Sequence, residues 1–277
     1  MPHVVAGSPE PSLPAARACS GTWVIVPTFN EAENLQELVR RLLAVLDGHD
    51  ARLLIVDDDS PDGTGRLAEQ LAARHRQVCV LHRRSKAGLG AAYLHGFRAA
   101  LAAGASWLVQ MDADLSHRPE DVSRLLDAAR AADLVIGSRY VAGGATPDWS
   151  LRRRLISRGG STYARAVLGV GVRDLTGGFK CWSRRAIEAV DLEHVLGRGY
   201  VFQIEMTYRA LRAGMRVAEI PIEFRDRTRG ESKMRGAIVM EAIARVPQLR
   251  WAAPQQQQAP RPAPAPDLSL ASVGGDG

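Results

Sequence analysis

Asp112-Ala113-Asp114 follows directly on a short apolar run, Trp107–Met111. Two carboxylates held one residue apart repel each other unless a cation or a proton lies between them. On an extended strand alternate side chains share a face, so the pair predicts a site for Mg²⁺ or Mn²⁺. Such cations take hard oxygen ligands shared between carboxylates and substrate phosphates, and they neutralise a diphosphate leaving group. Ser116, two residues on, is a weaker third ligand. A second acidic cluster, Asp57-Asp58-Asp59 with Asp62, ends another apolar run. Ser60-Pro61-Asp62-Gly63 is a turn signal and accounts for Asp62. Asp57 and Asp58 are left over. A carboxylate at such a strand end accepts hydrogen bonds from ribose hydroxyls or a base N–H, and Asp58 is the candidate. Asn30 and Glu31 close a third strand end, where helix capping explains them equally well.

The elements that must position these residues alternate in type. Thr22–Val26, Arg52–Val56, Val78–Leu81, Trp107–Met111 and Leu134–Ile136 read as buried strands. Asn34–Leu46, Thr64–Arg74, Gly90–Ala103 and Pro119–Arg130 read as helices. This order predicts an α/β fold: a doubly wound, mostly parallel sheet with helices on both faces. Ligands on such sheets bind beyond the carboxyl ends of the strands, where the acidic residues stand. There is no GxxxxGK[ST] phosphate loop. Gly88-Leu89-Gly90 runs on to Tyr93, which leaves the dinucleotide pattern GxGxxG incomplete. Lys86 and the N–H groups of that turn could face phosphate, or the turn is a plain helix entry.

The chain has 277 residues, 46% of them hydrophobic, enough for one large α/β domain. Residues 1–20 and 252–277 are rich in Pro, Ala, Gln and Gly and are expected to be a disordered leader and tail around a domain over 21–251. Cys19, Cys79 and Cys181 show no metal spacing and read as core residues of a reducing compartment. The net charge of +6 suits anionic partners. No basic n-region with an apolar core and no apolar run of transmembrane length occurs, so a cytoplasmic protein, at most peripheral to the membrane, is expected. Met234–Trp251 carries an amphipathic stripe, Ile238, Val239, Ile243, Val246 and Leu249, with a break expected near Pro247; it suits core packing or a membrane surface. His117 reads as a loop or helix-entry residue.

PTFNExxN, VDDDSPDGT, KxGLG, DADLSH, GSRY, DLTGGFK and DRxxGESKM occur in this order between Trp23 and Trp251. The set resembles family 2 glycosyltransferases, and within them the polyprenol (dolichol) monophosphate mannose synthases. The resemblance implies the GT-A type of fold. It implies metal-dependent transfer of mannose from GDP-mannose to a polyprenyl phosphate at the cytoplasmic face of a membrane. By the same resemblance Pro27, Phe29, Glu31, Val56 and Asp58 would line the guanosine pocket. Asp112, Ala113 and Asp114 would meet the diphosphate and metal. Arg139 would reach the sugar-phosphate region, and Arg227 and Lys233 would close over the diphosphate. Arg153 and Ser157 would take the acceptor phosphate. Asp112, Asp114, Arg139 and Lys233 form the expected catalytic set.

Two departures stand out. Some members carry Gln where Ser116 stands, and some carry C-terminal transmembrane helices. Without such helices, a separate membrane-anchoring protein is an expected partner. The acceptor needs no general base, because a phosphate monoester is largely ionised near neutrality. Its direct attack would invert the anomeric carbon without a covalent enzyme intermediate. Two other readings stay open: a UDP-sugar donor such as UDP-glucose, and a catalytically silent nucleotide-binding subunit. Guanine and uracil are not separable on these residues. Nothing beyond net charge favours a nucleic-acid partner.

Overall fold

A computed structural model describes residues 19–84, 88–197, 199–226 and 236–251, the last with side chains from 244 onward. Most of the expected leader and the whole expected tail lie outside the described residues, as do Lys86, Arg227 and Lys233. Cys19 belongs to the fold rather than to a leader: it is buried, its N–H donates to the Ala103 carbonyl, and its own carbonyl accepts from Trp23 Nε1 at 3.0 Å.

The first half of the chain alternates as the apolar runs predict. Strands β1 (Thr22–Thr28), β2 (Ala51–Asp57), β3 (Val78–His82) and β4 (Trp107–Gln110) are separated by helices α1 (Ala32–Leu46), α2 (Thr64–Arg74) and α3 (Leu89–Ala102). Helix α4 (Asp121–Ala129) leads to β5 (Leu134–Ser138), and α5 (Leu151–Leu168) follows. Then come β6 (Lys180–Ser183), α6 (Arg184–Val190), α7 (Gly199–Arg212), β7 (Val217–Pro221) and α8 (Gly236–Trp251). The sheet order is β3-β2-β1-β4-β6-β5-β7. All neighbours pair in parallel except β6, which runs antiparallel to both β4 and β5. Strands β6 and β7 are too short and too mixed in polarity to stand out as sequence runs.

Alternation along β1 splits its side chains between two cores. Trp23 and Ile25 enter one, with Tyr93, Phe97, Trp182, Phe202 and Met206. Val24 and Val26 enter the other, with Leu35, Leu38, Val122 and Leu125. Helices α1, α2 and α4 therefore cover one face, and α3, α5, α6, α7 and α8 the other. Helix α3 lies close on the sheet because Gly96 has no side chain: a Cβ there would stand 2.5 Å from Ile25 Cγ2 and 3.1 Å from Val56 Cγ2. Helix α8 packs on α5 and α7 through buried Val246, with Trp251 left exposed. The expected break at Pro247 does not occur, and the helix runs through it to Trp251. No described helix is long and apolar enough to cross a membrane. All three cysteines are buried and free.

Candidate active site

The ends of β1, β2 and β4 converge on a cleft of about 370 Å³. At each end the chain turns sharply through a non-glycine residue of positive φ: Asn30 at 59°, Asp59 at 57° and Leu115 at 61°. Such backbone costs on the order of 1–3 kcal/mol per residue and persists only where surrounding bonds hold it. Those bonds are present. Asp57 accepts from Thr28 Oγ1 (3.1 Å) and from Ser60 Oγ (2.6 Å) and N (3.2 Å), which ties the first two strand ends together. Asp62 closes the turn before α2 by accepting from Thr64 N at 2.9 Å and reaches across to the Ala32 N–H at 3.1 Å. The acidic turn is thus a clasp on the β1–α1 loop. Asp57 belongs to that clasp, a role its position alone did not reveal.

Of the acidic cluster, Asp58 is the member that lines the cleft. It is buried and ion-paired to Arg83. Burial raises its pKa, and the Arg83 charge offsets part of that rise.

Strand β4 stops at Gln110, so Asp112 and Asp114 lie in the turn beyond it. The alternation argument for their common direction therefore does not apply. The turn itself, through Leu115, puts Asp112, Ala113, Asp114 and Ser116 all on the cleft wall. Tyr93 donates to Asp112 Oδ1 at 2.9 Å. Burial, reinforced by the Asp112 charge, pushes the Tyr93 phenol well up in pKa, so it remains a donor. Asp114 accepts from Ser116 N at 3.0 Å. Ser116 Oγ is buried with no hydrogen-bond partner among the described residues. His117 lies in the loop between β4 and α4, as expected. It is buried, stacked on Phe179 at 5.0 Å, edge-on to Phe224 at 5.1 Å, and its Nδ1 accepts from the Asp112 N–H at 3.4 Å. Burial lowers its pKa despite the two aspartates, which keeps the ring neutral near pH 7.

Arg139 also lines the cleft. Nε and Nη2 bind both oxygens of Asp174 at 2.8 and 2.7 Å, the Arg139 N–H adds a third bond at 2.9 Å, and Thr176 Oγ1 accepts at 2.8 Å. Burial opposes the guanidinium charge, but the Asp174 carboxylate outweighs it and the arginine pKa is raised. Tyr140, Trp149 and Phe224 surround the guanidinium with ring centroids at 5.2, 5.4 and 5.6 Å. Glu219 on β7 in turn accepts from Arg173 N and Asp174 N, which fixes the loop bearing Asp174. Sequence reasoning missed Asp174, although it stands in the DLTGGFK motif.

Arg153, on the first turn of α5, also faces the cleft. Its guanidinium lies 4.2 Å from the Trp149 centroid and binds Asp226 at 2.8 and 2.9 Å. Ser157 is not on the cleft wall; its Oγ accepts from Tyr140 Oη at 2.6 Å. Val56 is also away from the wall. Its side chain points into the core under Gly96, because it precedes the strand end and lies on the face covered by α3. Pro27, Phe29, Glu31, Asp58, Asp112, Ala113, Asp114, Ser116, Arg139 and Arg153 are the expected residues that the fold does bring together.

One cleft thus holds the carboxylates of Asp58, Asp112 and Asp114 and the cations of Arg139 and Arg153. Residues 23–191 match the family model of Glycosyl transferase family 2. The chain belongs to that family. It is a glycosyltransferase, and its sheet is the GT-A type. Among curated relatives it is 50% identical over 236 residues to polyprenol monophosphomannose synthase of Mycolicibacterium smegmatis, covering 83% of this chain and 87% of that one. It is 48% identical over 227 residues to undecaprenyl-phosphate mannosyltransferase of Micrococcus luteus, covering 82% and 92%. Among solved structures, glucosyl-3-phosphoglycerate synthase of Mycobacterium tuberculosis with Mn²⁺, UDP-glucose and phosphoglyceric acid superposes with a TM-score of 0.64 at 20% identity, covering 85% and 82%. At that identity the likeness concerns the fold.

Proposed function

We propose that this family 2 glycosyltransferase moves mannose from GDP-mannose to a polyprenyl phosphate, with inversion at the anomeric carbon. The observation that carries the reading is the cleft itself. Asp112, Asp114 and Arg153 line it together, on a chain half identical to a polyprenol monophosphomannose synthase.

The residues present fit a divalent cation. Asp112 and Asp114 would hold it, and the orphaned Ser116 hydroxyl is free to join them. Among the described residues no group of three or more His, Cys, Asp or Glu completes a protein-only cage. A site of that kind leaves coordination to substrate phosphates, as Mg²⁺ sites commonly do. The chemistry the cation supplies is neutralisation of the charge on the leaving diphosphate.

The chain's own residues do the rest. Tyr93 and the turn through Leu115 orient the two aspartates. Pro27, Phe29, Glu31 and Asp58 wall the nucleoside end, where Asp58, held by Arg83, accepts from a ribose hydroxyl or a base N–H. Arg153 receives the acceptor phosphate. Lys86, Arg227 and Lys233, outside the described residues, are proposed for the donor phosphates. The acceptor phosphate arrives ionised, its second pKa being about 6, so no base is required. The neutral, buried His117 with Nδ1 occupied is consistent with a positioning role.

The acceptor is a lipid, and helix α5 offers a surface for it. Leu151, Leu155 and Ile156 are 71, 65 and 41% exposed and are interleaved with exposed Arg152, Arg154 and Arg158. Apolar side chains among arginines suit an anionic bilayer surface. We therefore place the working enzyme peripherally on the cytoplasmic face, with a separate anchoring protein as a candidate partner.

The test is transfer of label into the lipid phase from GDP-mannose, UDP-glucose or UDP-N-acetylglucosamine, with polyprenyl phosphate and Mg²⁺ or Mn²⁺. Label from GDP-mannose alone, lost with EDTA, is expected, and the product should carry the anomeric configuration opposite to the donor's. Label from a UDP-sugar alone would overturn the donor assignment.

A further inference from the structure

A buried polar network lies behind the cleft, and the reaction as described leaves it without a role. Only three of the chain's 36 Lys and Arg residues are lysines: Lys86, Lys180 and Lys233. Lys180, at the start of β6, is wholly buried. Among the described residues no carboxylate is bonded to its ammonium. Nζ donates instead to the Gln203 carbonyl at 2.9 Å, to Gln203 Oε1 at 3.1 Å and to Thr207 Oγ1 at 2.9 Å. Burial lowers its pKa to about 7, although Asp174 supports the charge. A cation this deep is costly to keep.

Its position explains what it does. The side-chain oxygen of Gln203 also accepts from Gln110 Nε2 at 2.8 Å, and Trp182 Nε1 donates to the Gln110 oxygen at 3.4 Å. An ammonium has donors and no acceptor, so the atom it touches must be the amide oxygen. The flip of Gln203 is thereby fixed, and Nε2 is the end left over. Gln203 is 3% exposed and lines the cleft, and its hydrogen bonds to Lys180, Gln110 and Thr207 all use its oxygens and leave Nε2 to the cleft side. Beside it Gly178 opens a space. A Cβ on Gly178 would stand 3.5 Å from Gln203 Nε2 and 3.4 Å from Asp112 Oδ2. An amide donor and a carboxylate acceptor thus flank one small gap on the cleft wall. A hydroxyl both accepts and donates, and it satisfies both groups at once.

We infer that Gln203 reads one hydroxyl of the donor sugar, shared with Asp112, and that Lys180 is the positioning residue that holds the amide donor toward the cleft. The inference rests on the proposed sugar-nucleotide transfer and deepens it to a specificity contact.

The experiment compares kcat/KM for GDP-mannose and its 2-, 3-, 4- and 6-deoxy analogues in the full chain. Gln203→Glu keeps the oxygen that Lys180 and Gln110 bind and replaces the cleft-facing donor by a carboxylate oxygen, which also adds a charge beside Asp112. Gln203→Leu is the second variant, and melting temperature reports the fold of each. In the natural chain one analogue is expected to lose about 5- to 150-fold, the range for a buried group left without its partner. Gln203→Leu should lose a similar factor on the parent sugar and Gln203→Glu at least that factor, and neither should lose anything further on that analogue. Lys180→Met should lower the parent-to-analogue ratio several-fold, a change that a purely structural role would not produce. If the Gln203 variants keep the natural ratio for every analogue, the inference is wrong. If GDP-mannose is inert and another sugar nucleotide serves, the donor assignment fails by itself, and the same ratio read on deoxy analogues of that donor decides the role of Gln203. Should no donor turn over, calorimetric affinities of the same series give the ratio instead.

Discussion

Arg153 binds both carboxylate oxygens of Asp226 through a single nitrogen, Nη1, at 2.9 and 2.8 Å, while its guanidinium lies over Trp149. The residue proposed to take the acceptor phosphate is therefore held by a carboxylate in the structure. Phosphate bound to Arg153 would compete with the Asp226 charge for the guanidinium. Asp226→Asn should lower the KM for polyprenyl phosphate several-fold and leave the KM for the donor unchanged. Arg153→Gln should raise the acceptor KM about 10- to 100-fold, the scale of one or two charge-assisted hydrogen bonds. Steady-state kinetics with each substrate varied in turn checks both.

Asp114→Asn keeps an oxygen for the Ser116 N–H and removes the charge. Transfer should fall by at least about 100-fold, the scale of losing one preorganised electrostatic contact. The melting temperature should stay close to that of the natural chain. Unchanged turnover would remove Asp114 from the metal site.

Asp174→Asn would leave the Arg139 guanidinium buried without its counter-charge. The side chains of this pair are 6 and 0% exposed, so solvent screening gives little relief. Removing one partner of such a pair costs about 3–5 kcal/mol. Urea unfolding should show that loss. The double replacement Arg139→Met with Asp174→Leu should be markedly less destabilised, though inactive.

Lys180 gives stability a pH dependence of predictable sign. Its folded pKa, about 7, lies below the ordinary lysine value of 10.5. The unfolded chain therefore binds more protons between those values, and the penalty for burying the charge is complete below pH 7 and relieved as pH rises toward 10.5. The natural chain should gain stability relative to Lys180→Met across that window, at up to about 1.4 kcal/mol per pH unit. Parallel urea titrations at pH 6.5 and 9 measure it, and equal pH slopes would exclude a depressed Lys180.

Leu151 and Leu155 project from α5 with no core to fill. Replacing both by Glu should leave melting unchanged and reduce sedimentation with vesicles containing anionic lipid. Transfer to a long-chain acceptor in those vesicles should fall with it, while transfer to a short soluble polyprenyl phosphate should not.

The sequence alone marked three strand ends that the fold brings to one cleft. The runs before Asn30, Asp57 and Asp112 are apolar because both faces of those strands are buried, and that periodicity is local. It likewise showed that Asp62 belongs to a turn, since Ser-Pro-Asp-Gly carries its geometry in its own backbone preferences. The tertiary structure decided which residues face the cleft. Val56 turned to the core and Ser157 to Tyr140 because their directions depend on neighbours distant in the chain. The partners of the charged groups were also invisible in sequence. Asp174 is 35 residues from Arg139, and Asp226 is 73 from Arg153. Lys180 reads as one more basic residue until β6 inserts antiparallel between β4 and β5 and puts its ammonium under Gln203. Local spacing fixes what a residue type can do, and only packing over the whole chain fixes what it meets.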